Sequence, residues 1–222
     1  MKKIILLSLV FLFMLVFNFV LADEALEAQA PLAVEVAPAA DPMVENVSLP
    51  EPESKPKTIQ AIEFLSGYGW GHLRGQNHYQ SIPFIVDIDY NFKALTKKIG
   101  FNPPMLFQFQ LEPFANWVYG PYDNIETGLG LMLKIGLVPE TWKFQPYIKG
   151  GSAPSFSSLH MREEGSQFNF ISSACAGFHY SLTSKTAFTA EYRYRHLSNA
   201  SIASPNSGVN TQLLLAGIMY SF

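Results

Sequence analysis

The feature that most constrains this chain is a period-two alternation, sustained from Ile59 to its end, in which the polar positions carry charge. Between Gln80 and Phe92, Ile82, Phe84, Val86, Ile88, Tyr90 and Phe92 share one parity, while Ser81, Asp87, Asp89 and Asn91 share the other. Side chains alternate between the two faces of a strand, so each such run has one apolar and one polar face. The pattern recurs in Met105 to Tyr119, with Phe107, Phe109 and Leu111 against Gln108, Gln110 and Glu112. It recurs again in Thr127 to Leu137 and in Phe168 to Leu182. Adding Ile59 to Gly71, Phe144 to Ser152, Lys185 to Leu197 and Thr211 to Phe222 predicts eight strands. Each has about the length a tilted membrane strand needs.

The polar parity holds Glu63, Asp87, Asp89, Glu112, Lys134, Lys149, Glu191, Arg193 and Arg195. Eight strands enclose a lumen just wide enough to be filled by side chains. A charge-paired lumen inside an apolar wall is the inverted arrangement of an outer-membrane barrel. The predicted fold is therefore all-β, an eight-stranded antiparallel transmembrane barrel over residues 59–222. The chain ends on Phe222, with Tyr220 and Ile218 on the same face, which resembles the terminal signature of bacterial outer-membrane barrels.

The rest of the chain fits export. Residues 1–22 read as a signal peptide: Lys2 and Lys3 precede an apolar stretch, and Val20-Leu21-Ala22 offers a small-residue cleavage site. Residues 23–58 are rich in Pro, Ala and acidic residues and hold no aromatic. Such a segment buries too little surface to offset its ordering entropy, and is expected to be a disordered periplasmic linker. The single cysteine, Cys175, provides neither a lipoprotein anchor after the signal nor an intrachain disulfide. A net charge of −3 with scattered basic residues leaves no footprint for nucleic acid.

Barrels of this kind begin and end in the periplasm, with short turns there and longer loops outside. On that rule Thr183-Ser184 is a periplasmic turn, strand seven rises to His196, and residues 199–210 form an external loop. His196 and Ser198 share the outward parity of Tyr192 and Tyr194. A serine hydroxyl becomes a nucleophile when an adjacent base takes its proton, and histidine is the base with a pKa nearest neutrality. A third group must orient the imidazole, and an amide can serve as well as a carboxylate. Asn210, returning at the top of strand eight, is the candidate. Glu163 and Glu164 in another external loop, and Glu191 on the luminal parity, are reserve acids.

The segment Tyr192-Arg193-Tyr194-Arg195-His196-Leu197-Ser198-Asn199-Ala200, followed by Pro205-Asn206-Ser207-Gly208-Val209-Asn210, closely resembles the C-terminal motif of the lipid A 3-O-deacylase (PagL-type) family. These are eight-stranded outer-membrane barrels that hydrolyse the acyl ester at position 3 of lipid A. The resemblance implies His196 as general base and Ser198 as nucleophile, with Asn199 and Asn206 in the loop that supplies oxyanion contacts. It further implies lipopolysaccharide as substrate and the outer membrane of a Gram-negative bacterium as location. The histidine spacing matches no metal site and no Asp-rich calcium loop is visible, so no metal or cofactor is expected. This sequence departs from the family in having Asn210 where a Glu is expected and Ser201 where a Gly is expected. Outer-membrane phospholipase A, a twelve-stranded barrel, is similar in having a His-x-Ser-Asn stretch and a later Asn. A phospholipase is thus one alternative, and a non-catalytic structural or adhesive barrel another. The sequence leaves a homodimer open.

Among the remaining polar residues, Arg74, Arg162 and Arg195 lie near external strand ends, where they either pair with lipid phosphates or turn to the lumen. His72, His78 and His160 read as solvated histidines of external loops.

Overall fold

A computed structural model describes residues 59–73, 76–158 and 162–222 of the chain. The expected signal peptide and linker lie outside the described residues, as do Arg74 and His160. Eight antiparallel strands close into a barrel in chain order. They are β1 (Ile59–Leu73), β2 (Gln76–Asn91), β3 (Met105–Gly120), β4 (Asn124–Pro139), β5 (Phe144–Ser157), β6 (Phe168–Ser181), β7 (Thr186–Ser198) and β8 (Val209–Ser221). The seam joins β1 to β8 from Ala61↔Ser221 to His72↔Asn210. Past it, the Phe222 amide donates to the Gln60 carbonyl at 3.0 Å, so the last residue is tied to the first strand. Pairing every strand on both sides leaves no exposed edge, which is what a non-aqueous surrounding demands.

The two parities separate as expected. Outward positions leave Phe84, Leu131, Ile148, Leu214 and Ile218 exposed, while Glu63, Asp87, Asp89, Lys134, Lys149 and Glu191 are fully buried in the lumen. Three of the buried cations there, Lys149, Lys134 and Arg193, each have more than one anionic partner. Lys149 Nζ lies 2.8 Å from Asp87, 3.0 Å from Glu191 and 3.3 Å from Glu112. Lys134 meets Glu63 at 3.2 Å and Asp89 at 3.5 Å, and Arg193 bridges Glu112 and Glu191. Sharing partners in this way offsets the large cost of taking ions out of water.

The lumen is not charged along its whole length. Leu65, Ile85, Leu213 and Leu215 form an inward apolar cluster with Phe114 packed on it, and Ala153, Ile171, Leu197 and Val209 form a second. Phe114 is inward because it shares the parity of Glu112 and Asn116. Crowding there is real: a Cβ on Gly69 would run into Ser81 and Leu213.

The connections depart from expectation at both ends. Both chain ends of the barrel lie at the end that holds the turns 140–143 and 182–185, and this end also carries the long connection 92–104. That connection folds into a helical turn, α1 (Lys93–Thr96), and a 3-10 turn (Lys97–Ile99). Lys93 pairs with Glu140 of the neighbouring turn at 2.5 Å, and Phe101 packs edge-on against Phe107. At the opposite end, 158–167 and 199–208 are long, while 74–75 and 121–123 are short.

Candidate active site

β7 ends at Ser198 and β8 begins at Val209, and the loop between them brings the predicted residues to one corner of the barrel's outer face. The register places His196 opposite Asn210, both exposed. Their side chains meet: His196 Nδ1 lies 2.7 Å from Asn210 Oδ1. An amide oxygen can only accept, so Nδ1 carries the proton and Nε2 is left with its lone pair. A free Nε2 is what a general base requires.

Ser198 follows on the same outward parity, half-buried and paired with Phe170 of β6. Residues two apart on a strand have Cα atoms separated by roughly 7 Å. Its hydroxyl makes no hydrogen bond among the described residues, so the geometry joins His196 to Asn210 and sets the Ser198 hydroxyl beside them. Catalytic bonds are commonly longer in unliganded sites and tighten with substrate.

The loop 199–208 is held from below by Glu164 in the loop 158–167. Its Oε2 accepts the Asn199 amide at 2.9 Å and its Oε1 accepts the Gly208 amide at 2.8 Å, so one carboxylate clamps both ends of the loop. Burial raises the Glu164 carboxyl above its ordinary value; the two amide donors and the nearby His196 oppose this. Two backbone bonds reinforce the clamp, Gly165 N–H to the Pro205 carbonyl at 2.6 Å and Ser207 N–H to the Glu163 carbonyl at 2.9 Å. Glu164 was expected only as a reserve orienter of His196, but that place is taken by Asn210. Glu163 contributes its main chain. Glu191 lies in the lumen, bonded to Tyr147, Lys149 and Arg193, on the opposite face of β7 from His196.

The two oxyanion candidates occupy different settings. Asn199 is fully buried, and its Nδ2 donates to the carbonyls of Ala203 and Pro205, both at 3.0 Å. Both amide hydrogens are thereby used inside the loop, and Asn199 shapes the loop instead of facing a ligand. Asn206 is exposed; its Oδ1 accepts the Asn199 amide at 3.0 Å, and its Nδ2 reaches the Ser201 hydroxyl at 3.2 Å. Its donor is at the surface.

Two backbone features were not read from the sequence. Ala200 and Ser201 have φ of 52° and 64°, a left-handed pair of non-glycine residues that begins two positions after the nucleophile candidate. Strained turns of this kind persist where the surrounding contacts impose them, here those of Asn199. Gly208 has φ of 72°, and a Cβ there would lie 2.7 Å from His196 Cε1. Only glycine lets the loop lie against the imidazole edge. The Asn-Ser-Gly run was a legible turn signal; its contact with His196 was not.

Of the two readings open for Arg195, the lumen is the one observed: Nη2 pairs with Glu126 at 2.8 Å, because its parity is that of Arg193 and Glu191. Two other expectations change. His72 and His78 are not in loops, since β1 and β2 extend to include them.

A family model for lipid A 3-O-deacylase (PagL) matches residues 67–219. Among solved structures, the crystal structure of Neisserial surface protein A is similar, with a TM-score of 0.55 and 13% identity over 73% of this chain and 96% of that one. The crystal structure of the outer membrane enzyme PagL gives a TM-score of 0.55 and 15% identity, over 71% of this chain and 97% of that one. No curated protein sequence matches. At these identities the structural likenesses establish the fold, and nothing in them supports a homodimer.

Proposed function

The chain belongs to the lipid A 3-O-deacylase (PagL) family, and from that premise we propose that it removes the 3-O-linked acyl chain of lipid A at the outer leaflet of a Gram-negative outer membrane. The observation that carries the reading is the 2.7 Å bond that fixes His196 through Asn210 on the outward face. A polar pair that faces outward from the end of a lipid-facing barrel wall meets a lipid substrate first.

His196 Nε2 takes the Ser198 proton as Oγ attacks the ester carbonyl. The developing oxyanion is met by donors of the loop, Asn206 Nδ2 foremost because it lies at the surface. Collapse breaks the bond to the sugar oxygen, which leaves with the proton held by His196. Water then attacks the acyl-enzyme, passes a proton to His196 and releases the fatty acid with Ser198 restored. Asn210 keeps the imidazole in one tautomer throughout but offers no negative charge to the imidazolium.

That neutral amide favours one second reading, a phospholipase acting at the same serine. Purified protein in detergent distinguishes them. The deacylase reading expects a hydroxy fatty acid released from lipopolysaccharide and none from phosphatidylethanolamine. The reverse pattern establishes the phospholipase, and release from neither removes the enzyme reading.

A further inference from the structure

The strand register sorts the outward side chains of β7, β8, β1 and β2 into rows. Low on the wall, Phe188 lies opposite Ile218, Ile218 opposite Phe64, and Phe64 opposite Val86, all hydrocarbon. One row below the site, Tyr194 faces Gln212, Gln212 faces Trp70, and Trp70 faces Gln80, which mixes aromatic and amide groups. The last row is polar throughout. His196 is opposite Asn210, and Asn210 is in turn opposite His72 of β1. His72 is next to His78 of β2, their ring centroids 6.5 Å apart.

Both histidines are exposed, and neither ring has a hydrogen-bond partner among the described residues. They take no part in the mechanism above. A metal centre does not account for them, since no group of three metal-ligating side chains occurs among the described residues. Two adjacent imidazoles present N–H donors, the chemistry that a phosphate monoester accepts. Neighbouring strands are about 4.8 Å apart, so the backbone at His72 is about 10 Å from that at His196. Side chains extending outward from both positions span one phosphorylated sugar ring and its ester.

The geometry points to His72 and His78 as a subsite for a phosphate group on the glycolipid whose ester is held at His196 and Ser198. This rests on the proposed deacylase reading and adds a determinant of substrate choice to it: the pair selects phosphorylated over dephosphorylated glycolipid. Asn210 links the two halves of the row, orienting His196 on one side and bordering His72 on the other.

The test uses the full protein in detergent micelles with two substrates, phosphorylated lipid A and the same lipid A stripped of phosphate by a phosphatase. For His72→Gln/His78→Gln the expected result is a KM about tenfold higher for phosphorylated lipid A, the effect of lost hydrogen bonds to a charged group. The expected kcat stays within about twofold of wild type, and KM for the stripped substrate is unchanged. An unchanged KM for phosphorylated lipid A, or an equal rise for both substrates, overturns the subsite. Should wild type hydrolyse neither substrate, the deacylase reading has failed by itself. The subsite is then judged by binding, read from fluorescence of the barrel's tryptophans, of which Trp70 lies one row away. Preference of wild type for phosphorylated lipid A, lost in the double variant, upholds it, and equal binding of both lipids overturns it. Inorganic phosphate binding as tightly as phosphorylated lipid A assigns the pair to the free anion and overturns the lipid assignment.

Discussion

Polar residues serve opposite ends in the lumen and at the rim. In the lumen, Lys149, Asp87, Glu112 and Glu191 are buried and answer one another, so their charge is consumed in holding the wall together. At the rim, His196 and Asn210 are exposed and joined by a single bond, with a serine hydroxyl beside them that no described residue engages. The first region pairs its charges without a ligand; the second has capacity left over. β7 belongs to both at once, since Arg193 and Arg195 point inward while Tyr194 and His196 point outward. The period of two is what lets one strand build a core and a site without conflict.

The contrast predicts that rim substitutions abolish chemistry and spare the fold, and that luminal ones do the reverse. Ser198→Ala is the largest effect: release of acyl chains falls by roughly a thousandfold or more, with heat-modifiable migration of the barrel on gels unchanged. Lys149→Met leaves three carboxylates without their shared cation. It is expected to lower folding stability by about 3–5 kcal/mol, read from the urea midpoint in micelles, while activity per folded molecule stays near wild type. A Lys149→Met barrel of full stability but low activity would erase the distinction between the regions.

Gly208→Ala probes their border. The added Cβ pushes on the imidazole, and a displacement near 1 Å costs about a hundredfold in rate, measured as kcat at unchanged folded fraction. Asn210 sharpens the rim itself. Asn210→Ala frees the histidine tautomer and slows hydrolysis by about tenfold or more. Asn210→Glu supplies the counter-charge and is expected to speed it. A carboxylate stabilises the protonated imidazole, so more of the base is lost at a given pH, and the acid limb of the rate profile moves to higher pH. A Glu variant slower than wild type at every pH would show that the amide is the suited partner. The smallest effect is Ser201→Gly. Relief of the left-handed backbone is worth about 1 kcal/mol in loop stability, visible as slower amide exchange at Asn199 and Gly208.

Much of this architecture was legible because burial in a barrel follows parity, and parity is written locally. The strands, the luminal charges and the His196–Asn210 pairing all come from counting residues along hairpins. Where a strand is apolar on both faces, as at Leu213-Leu214-Leu215, the period is silent. The inward leucine cluster and the inward turn of Phe114 went unread for that reason. The clamp by Glu164 was also out of reach, since it joins loops far apart in sequence through main-chain amides that leave no mark on residue type. His72 and His78 read as loop residues in the sequence because strand ends lack a boundary signal when polar residues continue the alternation.

The measurement that bears most directly on the account is mass spectrometry of lipid A from cells that express the wild-type protein or Ser198→Ala at equal membrane abundance. The account predicts loss of one hydroxyacyl mass with the wild type and intact lipid A with Ser198→Ala. Identical spectra from the two strains would contradict it.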